Sequence, residues 1–279
     1  MWLFFVFLYI IFSVSMTQFF KIATKTSKSS GELTVLLQLL GGISILILIP
    51  FFKFNWTLNY KVYLLLIAAC IFYAISDRIG TVVRKGLEAS TFSIILQLNT
   101  VFMILAGLLF FKEPFVLTKI IGAIIIIFSN VLIFYKKGAT FDKYVLLGII
   151  ANLVFSIALF LDVNISDNFN LPIYACLTLV IPAIIIILFE RLKLSNIKKE
   201  LIYGNKKAIL IAGLSWGGLL VFGLRAYQLG EVTTVAPLCS LTVITNVVVG
   251  YFLLKERSNL LKKIIAAILI VISIILIKL

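Results

Sequence analysis

Apolar runs of about twenty residues recur along the chain, each parted from the next by a few polar or charged positions. Wound as α-helix, a run of that length covers a hydrocarbon core of about 30 Å. The pattern predicts ten spans, at residues 2–20, 33–52, 62–83, 89–111, 115–135, 144–161, 171–189, 208–229, 232–254 and 260–277. A membrane β-barrel would instead show short alternating strands. The expected fold class is an all-α polytopic membrane protein. Connections are short, and the longest, ERLKLSNIKKELIYGNKK at 190–207, is too small and too charged to be a domain. Spans four and five meet at Lys112-Glu113-Pro114, which predicts an antiparallel hairpin with Pro114 in the first turn of the next helix.

One stretch occurs twice. GLEASTFSIILQLNTVFMILAGLLFFKE at 86–113 aligns without a gap on LGEVTTVAPLCSLTVITNVVVGYFLLKE at 229–256, at an offset of 143. The shift superposes Glu88 on Glu231, Thr91 on Thr234, Leu98 on Leu241, Gly107 on Gly250 and Lys112-Glu113 on Lys255-Glu256. At an offset of 139, FVFLYIIF (5–12) also matches YVLLGIIA (144–151). The repeating unit is thus five helices, residues 1–138 and 139–279. Five is odd, so the second copy enters the membrane from the opposite face. Ten transmembrane helices as two inverted five-helix repeats are expected, a plan that places a solute site near mid-membrane between the halves.

Charge adds orientation. The chain is 62% hydrophobic and 13% charged, with a formal net charge of +14. Most of its 25 Lys and Arg fall in connections 1–2, 3–4, 5–6, 7–8 and 9–10. The positive-inside rule places those connections in the cytoplasm and both termini outside, in a multi-pass protein of the cytoplasmic membrane. Cations in short loops set topology, so nucleic acid is not an expected partner. Cys70, Cys176 and Cys239 lie in apolar runs and read as packing residues, and without histidine neither zinc nor haem is expected. The opening MWLFF has no basic region and no cleavage site, so it reads as a retained first helix.

Ionisable groups within spans are costly and mark candidate sites. Asp77 and Arg78 fall in span three and Arg225 in span eight, its repeat-equivalent. They are expected to line a central cavity, with one arginine holding an anionic group of the solute. The alternatives are an Asp77–Arg225 ion pair or arginines reaching to the headgroups. Gln97 and Asn99 on span four have Ser240 and Thr242 as counterparts on span nine, with Thr245 and Asn246 beyond, and Asn152 lies on span six. Such groups either hydrogen-bond a solute or join helices. Trp216 and the aromatics Phe4, Phe5, Phe7 and Tyr9 could wall the cavity or simply pack. Gly217-Gly218 and Pro237 are candidate flexible points; Ile94 stands opposite Pro237, so a hinge there is expected in one repeat only. Glu113 and Glu256 are expected at an interface, paired with nearby lysines.

Two five-helix repeats, each with a fourth helix ending in GLLFFKE or GYFLLKE and followed by KIIGAIIIIFSNVLIF (119–134) or KIIAAILIVISIILI (263–277), resemble the EamA-type drug/metabolite transporters. The segment YQLGEVTTVAPLCSL (227–241) also resembles the start of the family's ninth helix. The resemblance covers the whole chain. It implies alternating access around a cavity lined by helices 1, 3, 4, 6, 8 and 9, with helices 5 and 10 peripheral. It also implies export or exchange of small organic metabolites without ATP. Amino-acid-like solutes are expected foremost, with efflux of toxic amphiphiles or a non-transporting membrane subunit as the alternatives. The first helix lacks the carboxylate on which related small multidrug transporters rely. Expected partners are a small-molecule solute, the lipid bilayer and a coupling proton or counter-solute, in a monomer or homodimer. No cofactor and no enzymatic activity are expected.

Overall fold

The computed structural model describes residues 1–110, 116–134 and 142–278. The expected turn at Lys112-Glu113-Pro114 lies outside these residues. In chain order the helices are α1 (Trp2–Thr26), α2 (Ser30–Ser44), α3 (Tyr60–Gly86), α4 (Ala89–Ile95), α5 (Leu98–Leu109), α6 (Leu117–Phe134), α7 (Lys143–Ile165) and α8 (Leu171–Phe189). They continue with α9 (Leu194–Tyr203), α10 (Lys206–Leu229), α11 (Val232–Cys239), α12 (Thr242–Leu253) and α13 (Leu260–Lys278). A 3₁₀ stretch, Ile45–Phe51, prolongs α2. Short polar side chains start several helices: Asn59, Asp142, Asn170 and Asn205 each accept a hydrogen bond from a first-turn amide.

Among the described residues, eight segments are long and apolar enough to cross a membrane, with α4–α5 and α11–α12 each counted as one. Their surfaces agree with a lipid surround. Leu64, Ile67, Ile71 and Ile75 form an exposed apolar stripe along α3, while Leu66, Cys70, Tyr73 and Ala74 face inward. On α1, Phe4 and Phe7 likewise point outward.

The expected fourth and ninth spans are each broken in two, α4 with α5 and α11 with α12. Equivalent i to i−3 bonds tighten both breaks: Gln97 N–H donates to Ile94 O at 3.0 Å and Ser240 N–H to Pro237 O at 2.9 Å. Thr100 N–H likewise donates to Gln97 O, and Val243 N–H to Ser240 O. The side chains of Gln97 and Ser240 repeat the match, each donating to the carbonyl four residues back, Ser93 O and Ala236 O. Residues 89–109 break without a proline, so the one-sided hinge expected from Pro237 is corrected to a break in both segments. Nor is Gly217-Gly218 a hinge, because α10 runs unbroken through it. A Cβ on Gly217 would lie 2.5 Å from Gly41 O, and one on Gly41 would lie 2.9 Å from Gly213 O. These glycines let the backbones of α2 and α10 touch.

Packing recurs in pairs. Helix α1 lies along α10 as α7 lies along α3, α2 meets α8, and α6 meets α13. The largest apolar cluster draws on both 1–138 and 139–279, from Phe20, Leu37 and Cys70 to Tyr174, Ala212 and Val221. The connection expected over 190–207 contains α9, whose Ile197 packs inward. Its Glu200 carboxylate accepts from the amides of Lys28 and Ser29 at 2.9 Å each, just before α2 begins. Glu256 does the same for α4, accepting from Ala89 N at 2.6 Å, Ser90 N at 3.0 Å and Ser90 Oγ. Pairing of Glu256 with a nearby lysine is thus corrected: it caps α4, distant in the chain. Glu113 lies outside the described residues.

Candidate functional site

A cavity of about 140 Å³ opens at the centre of the bundle, walled by α1, α3, α4, α5, α7, α10, α11 and α12. The two breaks form its middle and touch there, with Thr100 Oγ1 and Ser240 Oγ 2.6 Å apart. Seven of the nine residues expected at the site line this space: Asp77, Gln97, Asn99, Asn152, Ser240, Thr242 and Asn246.

Their local chemistry divides them. Asn152, only 1% exposed, donates from Nδ2 to Ile95 O at 3.2 Å, holding the carbonyl at the end of α4. Asn246 accepts from Gln18 Nε2 at Oδ1 (2.9 Å) and at its backbone oxygen (3.2 Å), tying α12 to α1. Thr242 turns its hydroxyl to Cys239 O. Asn99 Oδ1, Asn152 Oδ1 and Ser93 Oγ are buried beside the cavity without a hydrogen-bond partner. Unpaired buried polar atoms are costly, and a solute with matching groups would relieve that cost.

The two expected arginines do not line the cavity. Arg78 pairs through Nε with Glu190 at the end of α8, and its Nη1 donates to Ser30 Oγ at 2.9 Å. Adjacent helical residues point about 100° apart, so Asp77 and Arg78 face different directions. Arg225 donates from Nη1 to Gln228 Oε1 at 3.0 Å and lies 6.0 Å from the Phe52 ring centre, again away from the cavity. An Asp77–Arg225 ion pair does not form; Asp77 Oδ2 accepts instead from Gln38 Nε2 of α2 at 2.8 Å. Of the expected aromatic wall, Tyr9 and Trp216 line the cavity, whereas Phe5 stacks on Phe222.

Among the described residues, the cation that does line the cavity is Arg84. Its guanidinium carbon lies over the Phe20 and Phe92 rings, 4.5 and 4.4 Å from their centres. Sequence reading placed Arg84 in a loop because the apolar run ends before it. The helix continues to Gly86, and Asp77, Gly80 and Arg84 then share one face at helical spacing, which is the signal that could have found it. A fully buried acid stands outside the cavity lining: Asp162 of α7 accepts from Tyr73 OH at 2.7 Å and Tyr174 OH at 2.5 Å.

No family model and no curated protein matches this chain. Solved structures do resemble it. One, described only as "Crystal structure of protein", aligns over 96% of this chain and 98% of its own with a TM-score of 0.55 at 15% identity. At that identity the likeness is one of fold alone.

Proposed function

We propose that the protein is a secondary transporter that moves a small polar organic solute across the cytoplasmic membrane by alternating access, as an exporter or exchanger of the EamA type. In this reading α6 and α13 also cross the membrane. That gives ten spans in two inverted five-helix repeats, with both termini outside. The paired breaks at Gln97 and Ser240 and the paired packing of α1 on α10 and α7 on α3 support the repeat. A scaffold gains nothing from meeting polar breaks at mid-depth, whereas a carrier needs polar groups where its solute rests.

The observation that carries the reading is the central cavity. Segments from both halves of the chain supply its walls, and Ser93, Asn99 and Asn152, each with an unpaired buried oxygen, line it. The amphiphile-efflux reading draws on the aromatic part of the same wall, Tyr9, Phe92, Phe155, Trp216 and Tyr227. Counterflow separates the two. Liposomes holding the purified chain are loaded in turn with unlabelled amino acids, sugars and cationic dyes, then given trace label outside. Saturable uptake of a metabolite without ATP is expected. Uptake of dyes alone would favour efflux, and no uptake of any class would defeat the transporter reading.

A further inference from the structure

The cations of two connections meet at one end of the bundle. Lys28 N–H and Ser29 N–H donate to the Glu200 carboxylate of α9, and Asn205 N–H donates to Thr26 Oγ1 at 3.1 Å. These bonds set the end of α1 beside α9 and the start of α10. Lys25, Lys28, Lys198, Lys199, Lys206 and Lys207 therefore gather at one corner, and all six are exposed. The carboxylates at hand are taken. Glu200 is buried on the two amides, and Glu190 pairs with Arg78. Among the described residues none of the six lysines forms an ion pair. The Lys28 ammonium lies instead over the Tyr203 ring, 5.7 Å from its centre.

Depth determines what meets this corner. Helix α8 is apolar enough to cross a membrane, and its last two residues, Leu188 and Phe189, are exposed, so hydrocarbon reaches to its end. Only residues 190–193 separate it from α9, which therefore lies where hydrocarbon gives way to headgroups. Ile197 and Glu200 turn one face of α9 to the bundle. Its outer face carries two rows at four-residue spacing, Leu194–Lys198–Ile202 and Ser195–Lys199–Tyr203, all exposed. Apolar and aromatic groups interleaved with lysines are what an interfacial helix presents to a bilayer.

We infer that this corner binds the headgroups of anionic phospholipids, the lysines taking the phosphates while Leu194, Ile202 and Tyr203 sit among the first acyl carbons. The inference needs the membrane but not the transporter reading above. In the sequence these cations belong to two separate connections, 1–2 and 7–8, where they set topology; the fold joins them into one surface. Each cation near an anionic surface adds roughly fivefold to binding. A zwitterionic lipid offers the same phosphate with its own ammonium beside it, and gains little of this. Free phosphate or a soluble acidic partner would use the lysines but leave the apolar groups in water.

Spin-labelled lipids test it. The full-length chain is placed in nanodiscs of phosphatidylcholine with a trace of labelled phosphatidylglycerol or of labelled phosphatidylcholine, and the fraction of label immobilised by the protein is read. The native chain is expected to hold phosphatidylglycerol at least about fivefold more tightly than phosphatidylcholine, and less so at high salt. Lys198→Gln with Lys199→Gln, and separately Lys206→Gln with Lys207→Gln, should each cut that preference at least about threefold. Lys53→Gln with Lys61→Gln removes the same charge from the other end of the bundle and should leave it within about twofold. Equal hold on the two lipids by the native chain would overturn the inference. So would a preference unchanged in both lysine pairs, or displacement of the label by millimolar inorganic phosphate. An equal loss in the Lys53 and Lys61 variant would reduce the effect to net charge and overturn it as well. The native comparison involves no variant, and the two pairs of exposed lysines are independent, so one misfolded variant does not shield the inference.

Discussion

The hydroxyls of Thr100 and Ser240 lie 2.6 Å apart, joining the break between α4 and α5 to the break between α11 and α12. Both residues line the cavity, and Ser240 also donates to Ala236 O. This contact sets the two broken helices against each other at the depth where a solute would rest. Thr100→Val and Ser240→Ala are each expected to lower stability by about 0.5–1.5 kcal/mol, with a double variant well short of the sum. Thermal unfolding of the four proteins in one detergent measures the coupling, and full additivity would mean that the hydroxyls do not interact.

Arg78 and Arg225 point away from the cavity, so their loss should spare transport. Arg78→Ala removes a half-exposed ion pair worth about 1 kcal/mol or less. In both alanine variants KM for the transported solute should stay within about twofold of the native value. A tenfold rise in either would return these arginines to the site.

Glu256, between α12 and α13, reaches the first amides of α4. Glu256→Gln keeps the shape but loses the charge at a helix N-terminus, which should cost about 1–2 kcal/mol. Circular dichroism melts should record the loss. An unchanged melt would show that the carboxylate is dispensable as a cap.

Gly217 has backbone of α2 where a side chain would go, 2.5 Å from Gly41 O, and the Ile45 side chain on another side. Gly217→Ala forces α2 and α10 apart and is expected to destabilise by about 1–3 kcal/mol. If α10 were hinged here instead, the variant would slow transport and leave the melting temperature alone.

How much of this was legible in the sequence follows from helical geometry. The offset of 143 aligned Gln97 with Ser240, but spans 89–111 and 232–254 were expected whole with a hinge at Pro237 alone, because the tightening bonds at Gln97 and Ser240 and their side-chain bonds four residues back leave no mark in an apolar run. Polar residues at matching depth on broken helices converge, and Gln97, Asn99, Ser240, Thr242 and Asn246 do so. The arginines failed because depth alone does not give direction: Arg78 follows Asp77 by one residue and faces elsewhere. Arg84 was hidden because a cation near the end of an apolar run looks like a loop residue until the helix is known to reach Gly86. Gln38 and Asp162 were missed for another reason. Each is satisfied by a partner from a distant segment, Gln38 by Asp77 and Asp162 by Tyr73 and Tyr174, and no local pattern announces such a pairing.

The central claim is that one cavity serves both faces of the membrane, and Cys239 offers a direct test. It lines the cavity as a free thiol, and replacing Cys70 and Cys176 by serine leaves it alone. In oriented proteoliposomes, a membrane-impermeant thiol reagent is added to one face or the other, with and without a pool of L-amino acids. The account predicts modification of Cys239 from either face, with solute slowing both reactions. Modification from one face only, at a rate indifferent to solute, would contradict it.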